Sequence, residues 1–81
     1  MGKLEVFKTF NLPVGLILAV KVVQGELKAG SKIKIGNKIA TVKSLESNRE
    51  PVQTAEPGMD VGALVEGIEI ADVDLTEYEF A

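Results

Sequence analysis

The chain has 81 residues, a formal net charge of −3, and neither cysteine nor histidine. A chain of this length forms one domain, here residues 1–81, and it lacks thiols, the usual zinc ligands and any side chain that normally titrates near neutral pH. Because no apolar run approaches the roughly 18–20 residues that span a bilayer, and the first residues do not form a signal peptide, we expect a soluble, cytoplasmic protein.

The first part of the chain predicts two strands joined by a loop. Leu4–Phe10 is rich in β-branched and aromatic residues, as an opening strand would be, and the proline and glycine of residues 11–15 break the pattern. Residues 16–23 are apolar except for Lys21, which predicts a strand that is buried on both faces. Lys21 then has two interpretations: an ammonium group held in water at the protein surface, or a contact to a ligand.

A hairpin is predicted around the dipeptide Gly36-Asn37, because isoleucines alternate with lysines on both sides of it. A loop of three residues, 36–38, would place Ile35 opposite Ile39. The isoleucines would then share one face of the hairpin. A loop of two residues would instead place Ile35 opposite Lys38.

The second part of the chain predicts a long loop followed by further strands. Residues 47–60 contain two prolines, one of them in a Pro-Gly pair, which indicates a loop. Residues 61–65 form the next core strand, and residues 68–73 lead toward a last strand in which Tyr78 and Phe80 share a face. Six or seven short strands separated by glycine and proline turns predict an all-β fold, a small closed antiparallel β-barrel.

Charge is unevenly distributed along the chain. Residues 1–49 carry nine basic and three acidic groups, a net +6, whereas residues 50–81 carry nine acidic groups and no basic one, a net −9. A basic face could bind nucleic acid if the hairpin lysines lie on one side of the domain and the acidic C-terminal segment on the other. The alternative is a barrel that interleaves its strands and mixes the two halves in space. The hairpin lysines would then form only a solvated edge. They are Lys32, Lys34 and Lys38.

Two blocks of sequence carry a family signature. In the first, Val42-Lys43-Ser44-Leu45-Glu46 is followed in step by Glu50-Pro51-Val52, Ala55, Pro57-Gly58 and Val61-Gly62. In the second, Gly15, Ile17, Val22, Gly25, Leu27, Lys28 and Gly30 match the form G-x-V-x-x-G-R-V-x-x-G-x-L-K-x-G, from which Val20 and Lys21 depart. The blocks closely resemble the second domain of elongation factor 1 alpha and elongation factor Tu. The resemblance covers residues 15–67 and implies a β-barrel of the translation-factor domain II type.

The resemblance also implies where a ligand would bind. Glu46 matches the family glutamate that lines the pocket for the terminal adenosine of a charged tRNA; the alternative is that it simply ends a strand facing water. Glu66 stands where the family often has an arginine near the acceptor-strand phosphates, so we expect that contact to be lost. The expected RNA-binding residues are Glu46, Lys43, Arg49, Lys21, Pro13 and Gly15.

The motif G-x-x-x-x-G-K-[ST], which cradles nucleotide phosphates, is absent. We therefore expect no nucleotide binding by this domain itself, no enzyme activity, and no cofactor or metal. The residues and the resemblance together favour a stand-alone RNA-binding module that recognises a tRNA acceptor end or a similar RNA end. The alternative is a protein-interaction module that docks onto a translation GTPase, a ribosomal protein or a copy of itself. A third interpretation is a degenerate barrel without a specific ligand.

Overall fold

The computed structural model describes residues 1–81, which form nine β-strands and one turn of 3-10 helix at Ile70–Asp72. The strands are β1 (Gly2–Leu12), β2 (Gly15–Gln24), β3 (Leu27–Lys28), β4 (Lys32–Ile35), β5 (Lys38–Ser47), β6 (Glu50–Val52), β7 (Thr54–Ala55), β8 (Asp60–Glu66) and β9 (Glu77–Phe80). The 3-10 turn is neither long nor apolar enough to cross a membrane.

Six antiparallel strands close into a barrel. Their order around the ring is β4-β9-β1-β2-β8-β5, and β5 pairs again with β4 to complete it. Strand β6 extends the sheet beyond β5, and β3 and β7 form a separate two-stranded sheet. Because the first and last strands of the ring pair with each other, the main sheet has no open end. The predicted all-β, closed antiparallel barrel is confirmed.

The core forms because alternate residues of the long strands point inward. On β2, Leu16, Leu18, Val20 and Val22 are buried, and their counterparts on β8 are Val61, Ala63 and Val65. Phe80 of β9 is also buried, and Tyr78 packs at the edge of the core, as predicted. The prediction that β2 is buried on both faces is wrong. Its outer face is only partly covered at Ile17 and Ala19, and it is exposed at Lys21.

The predicted three-residue loop between β4 and β5 is wrong. The turn has two residues, Gly36 and Asn37, and Ile35 pairs with Lys38. Gly36 has φ 62°, a conformation that tight hairpin turns require and that glycine adopts without strain. In this register Ala40 points into the core while Ile39 is left on the outside. A small residue therefore fills the core position that the sequence pattern assigned to an isoleucine.

Two further segments differ from the sequence prediction. Residues 47–60 are not a single long loop, because Ser47 pairs with Glu50 in a tight hairpin and β7 pairs with β3. Residues 68–73 contain the 3-10 turn Ile70–Asp72 instead of running directly extended into β9. There the carboxylate of Asp72 accepts a hydrogen bond from the Glu69 backbone N–H (2.9 Å) and another from Lys38 Nζ (3.0 Å). Hydrogen bonds of this kind favour a turn over a strand.

The barrel mixes the basic and acidic halves of the chain. The acidic strand β9 lies between β1 and β4, where Glu79 is directly opposite both Lys3 and Lys34. Lys38 forms its ion pair with Asp72. The interpretation that interleaved strands disperse the sequence charges is therefore correct. The expectation that the acidic C-terminal segment would lie on the far side from the lysine-rich hairpin is wrong.

Candidate functional site

An open cleft of about 640 Å³ lies on the outer face of the barrel, across strands β1, β2, β8 and β5. Its lining combines an apolar wall with a polar rim. The lining residues are Phe7, Phe10, Leu12, Ile17, Ala19, Glu46, Ser47, Asn48, Arg49, Asp60, Val61 and Gly62. A concave apolar surface with a few polar groups is the usual form of a small-ligand or nucleobase site.

The cleft exists because small residues lie in the middle of a cross-strand row. Lys8 is opposite Ala19, Ala19 is opposite Gly62, and Gly62 is opposite Glu46. Directly opposite side chains in a sheet have Cβ atoms about 4.5–5.5 Å apart, so each step of the row is one strand wide. The alanine and the glycine form a low floor between taller walls on β1 and β5.

The aromatic wall results from a bulge in β1. The ladder between β1 and β2 changes register between Val6 and Lys8, so Phe7 is an extra residue. Before the bulge Leu4 and Val6 point into the core; after it Phe10 and Leu12 point outward. Phe10 is 39% exposed and Phe7 49% exposed. A bulge that redirects side chains toward a site is a common device at functional regions of sheets.

Lys8 stands beside this wall. Its Nζ lies 5.1 Å from the centroid of the Phe10 ring, within the range of a cation–π contact. The contact restrains the ring on the outer face of the sheet. It also places one positive charge at the β1 side of the cleft.

The opposite wall is the hairpin between β5 and β6. Glu46 lies on β5, and its exposed side chain is on the same outer face as Gly62. The hairpin turns at Asn48 (φ 52°) and Arg49 (φ 66°), the two non-glycine residues with positive φ in the chain. Positive φ at both turn residues suits the twist of a two-residue hairpin, but it is unfavourable for arginine. The strained turn holds Arg49 at the rim, in a region where strain is often associated with function.

Of the residues expected to bind RNA, Glu46 and Arg49 line the cleft together. Lys21 lies at its border, between Glu5 on β1 and Asp60 on β8 in the ladder. These two carboxylates reduce the positive potential that Lys21 offers to a phosphate. The positive charge of Lys21 is therefore largely offset by its two acidic neighbours in the sheet.

Lys43 lies outside the cleft. It is the extra residue of a second bulge, between Val42 and Ser44, and its Nζ is 3.5 Å from Oε1 of Glu66. Both side chains are about half exposed, so this ion pair contributes little to stability. The acidic residue at position 66 nevertheless gives Lys43 an anionic neighbour.

Pro13 and Gly15 belong to the turn between β1 and β2, where Leu12 pairs with Gly15. Leu12 lines the cleft, whereas Gly15 borders a smaller pocket together with Glu66 and Ile68. The turn is thus adjacent to the cleft without forming part of its lining. It can support Leu12 in the apolar wall.

Sequence reasoning missed the aromatic wall. The sequence pattern predicts Phe7 and Phe10 in an ordinary strand and Leu12 in a loop, and it gives Lys8 no special role. One signal was present: Val6 and Phe7 are adjacent apolar residues that interrupt the alternation expected of a half-buried strand. Such an interruption indicates a bulge, after which the outward-facing set of side chains changes.

The cleft offers recognition chemistry. It contains carboxylates and one guanidinium but no histidine or cysteine, and the chain has no group of three or more potential metal-ligating side chains of the His, Cys, Asp and Glu type. Aromatic rings can stack on a flat ligand. Carboxylates accept hydrogen bonds from hydroxyl and amino groups, and a guanidinium binds anionic oxygens.

Comparison with known proteins identifies the family. The sequence profile of elongation factor Tu domain 2 matches residues 15–75. Elongation factor 1-alpha from Nanoarchaeum equitans is 39% identical over 66 residues, 74% of this chain, and that from Hyperthermus butylicus is 31% identical over 74 residues, 88% of this chain. The chain spans 15% and 17% of the length of these two relatives. The profile match and the barrel topology lead to one conclusion: the chain belongs to the elongation factor Tu domain 2 family.

Proposed function

We propose that this translation-factor barrel binds the single-stranded end of an RNA, with a tRNA acceptor end as the preferred ligand. The observation that carries the proposal is the combination, in one open cleft, of exposed Phe7 and Phe10 with Glu46 and Arg49. Sequence-specific RNA recognition generally uses unstacked bases that pack on aromatic side chains and form hydrogen bonds through their edges. The likeness to elongation factor 1-alpha supports a role within translation.

In this proposal each wall of the cleft has a different task. The terminal base stacks against the aromatic wall formed by Phe7 and Phe10. Glu46 accepts hydrogen bonds from the ribose hydroxyls or the exocyclic amino group of the base. Arg49, which has no ion-pair partner within the chain, binds the phosphate next to the terminal nucleoside.

The charges of the site favour an end over a longer backbone stretch. Glu46 and Asp60 both lie in the cleft, Lys21 is flanked by carboxylates, and Lys43 is paired with Glu66. A chain of phosphates running across this surface would meet several carboxylates. We therefore propose one or two phosphate contacts and a correspondingly modest dependence of affinity on salt.

The test is fluorescence anisotropy with a labelled RNA hairpin that carries a single-stranded CCA end, at several salt concentrations. Arg49→Glu should weaken binding and flatten the plot of log affinity against log salt by about one unit, because one phosphate contact is lost. Glu46→Ala should weaken binding without changing the slope, since a carboxylate releases no counterions. Lys34→Glu is the matched control, because Lys34 lies beside Glu79 away from the cleft. Absence of binding at low salt would refute the proposal.

A protein partner is the second candidate for the same cleft. It is favoured by the contiguous exposed apolar residues Phe7, Phe10 and Leu12, which could receive an apolar side chain of a translation GTPase or a ribosomal protein. Affinity capture from lysate with and without RNase separates the two. Partners that persist after RNase treatment and are lost with Phe10→Ala support protein docking; partners that RNase removes support RNA.

A further inference from the structure

We infer that the RNA strand leaves the cleft along β5 and places a backbone phosphate in a second groove, between Lys28 and Lys43. This groove is formed by residues 28–29, 43–45 and 51–54 and has a volume of about 450 Å³. We call it the lysine groove. The inference rests on the proposed function and adds a phosphate site to the nucleoside site of the cleft.

The lysine groove differs from the cleft in the charge of its lining. It contains two ammonium groups and no carboxylate, whereas the cleft contains Glu46 and Asp60 beside Arg49. The hydroxyl groups of Ser44 and Thr54 also belong to the lining of the lysine groove. Lysine, serine and threonine side chains commonly donate hydrogen bonds to the phosphate oxygens of nucleic acids. The groove therefore has the chemistry of a phosphate site.

Backbone hydrogen bonds hold the two lysines on neighbouring segments. The turn after Lys28 is fixed by the buried Ser31, whose N–H donates to the Lys28 carbonyl oxygen (2.9 Å) and whose Oγ accepts from the Lys28 N–H (3.0 Å). The same turn is joined to β5 immediately before Lys43. There the Gly30 N–H donates to the Val42 carbonyl oxygen (2.8 Å), and the Val42 N–H donates to the Ser31 carbonyl oxygen (2.9 Å). The fold itself therefore brings the backbones of both lysines to the groove.

Both ammonium groups are available to a ligand. Lys28 is exposed and forms no ion pair within the chain. Lys43 is paired only with Glu66, and both side chains of that pair are exposed. Because an exposed ion pair is weak, Lys43 can exchange the carboxylate for a phosphate at little cost. A phosphate between the two lysines would also reduce their mutual repulsion.

The lysine groove continues the cleft along strand β5. Glu46 of the cleft and Ser44 of the groove lie on the same outer face, opposite Gly62 and Leu64 of β8. Residues that follow each other on one face of a strand are about 7 Å apart, so the two sites adjoin. The direction from Glu46 to Ser44 leads away from Asp60, which precedes Gly62 on β8. An RNA strand with its terminal nucleoside in the cleft can therefore reach the lysines without passing Asp60.

Fluorescence anisotropy with two labelled RNAs tests the inference. The dinucleotide CA has a single phosphate, which the proposed function assigns to Arg49, whereas a longer single strand ending in CCA has further phosphates. For the longer strand, the double variant Lys28→Gln/Lys43→Gln should weaken binding about tenfold and flatten the plot of log affinity against log salt by roughly 0.7 unit. Its affinity for CA should not change. Glu66→Gln, which frees Lys43, should tighten binding of the longer strand by up to about fivefold.

Lys32→Gln/Lys34→Gln is the matched control, because it removes the same charge from two exposed lysines outside the lysine groove. It should leave both affinities nearly unchanged. Gln53→Leu alters the groove without altering its charge and should also have little effect. Equal weakening by the two double variants, or a longer strand that binds no better than CA, would overturn the inference and leave the proposed function standing. If neither RNA binds at low salt, the proposed function fails and the inference fails with it.

Discussion

Glu46 and Gly62 lie directly opposite each other in the ladder between β5 and β8, and the missing side chain of Gly62 leaves the cleft open in front of the carboxylate. A Cβ atom on Gly62 would come 3.5 Å from Cγ2 of Ile17, an ordinary contact distance. Gly62 does not have a positive φ, so any residue can adopt its backbone conformation. Folding therefore does not require glycine at position 62. The absence of a side chain there is what keeps the floor of the cleft low.

Gly62→Leu should fill the cleft and keep the fold. We expect RNA binding to fall more than tenfold while the melting temperature changes by only a few degrees, because the new side chain lies on the outer face and strands accept leucine better than glycine. Anisotropy and thermal denaturation by circular dichroism measure the two effects. Gln53→Leu is the control, an apolar change at an exposed, uncharged position outside the cleft. Equal loss of RNA binding in both variants would contradict the conclusion that Gly62 forms the floor of the cleft.

Phe10→Ala should reduce affinity for a CCA-ended RNA by roughly 5- to 150-fold, the effect of losing about 1–3 kcal/mol of base stacking. The domain should remain folded, since Phe10 is partly exposed and does not belong to the core. Phe10→Tyr should restore binding because it keeps the flat ring. If Phe10→Tyr is as weak as Phe10→Ala, the ring does not act by stacking.

Arg49→Gly should stabilise the barrel while weakening RNA binding. Relief of the positive φ is worth about 1–2 kcal/mol, and the added freedom of glycine in the unfolded chain costs about 0.5–1 kcal/mol, so the net gain is roughly 0.5 kcal/mol. For a domain of this size that corresponds to a rise of about 2–4 °C in melting temperature. A lower melting temperature would show that the arginine is not strained in the turn.

Asp72 should stabilise the fold in a pH-dependent way. The hydrogen bond from the Glu69 backbone N–H, together with Lys38, lowers the pKa of Asp72 below its usual value of 3.8. A group whose pKa is lowered by folding stabilises the native state above its unfolded pKa, and this contribution disappears as the pH falls through the folded pKa. Asp72→Asn should therefore lower the melting temperature at neutral pH, and the difference should shrink below about pH 3.8. A difference that is constant across pH 2–7 would exclude this role.

The barrel itself was predictable because strong local patterns specify it. The apolar run of residues 16–23, the glycine-containing turns and the blocks around Glu46 all indicate strands of a small antiparallel barrel, and the structure has that barrel, although only one face of β2 is buried. The register of the β4–β5 hairpin was not predictable from apolar alternation, because the tight turn at Gly36 placed Ala40 rather than Ile39 in the core. The geometry of the turn, and not the size of the side chains, determined the register of this hairpin.

The site was predictable on one wall only. Glu46 belongs to the block that matches the family, so the resemblance locates it, and Arg49 is a basic residue three positions further along the chain. The other wall depends on the bulge at Phe7, which redirects Phe10 and Leu12 outward, and on the pairing of β1 with β2. The distribution of charge over the surface was the least predictable feature. It depends on the order of the strands in the sheet, which brings Glu79 beside Lys34.

The central claim is that the cleft between Phe10 and Glu46 receives the terminal adenosine of a tRNA acceptor end. The most direct measurement is a ¹H–¹⁵N NMR titration of the labelled domain with the trinucleotide CCA and, separately, with a CC dinucleotide. The account predicts that CCA shifts the amide signals of Phe7, Phe10, Glu46 and Gly62, and that CC leaves them nearly unchanged. Equal shifts with both ligands, or shifts confined to the hairpin lysines Lys32 and Lys34, would contradict it.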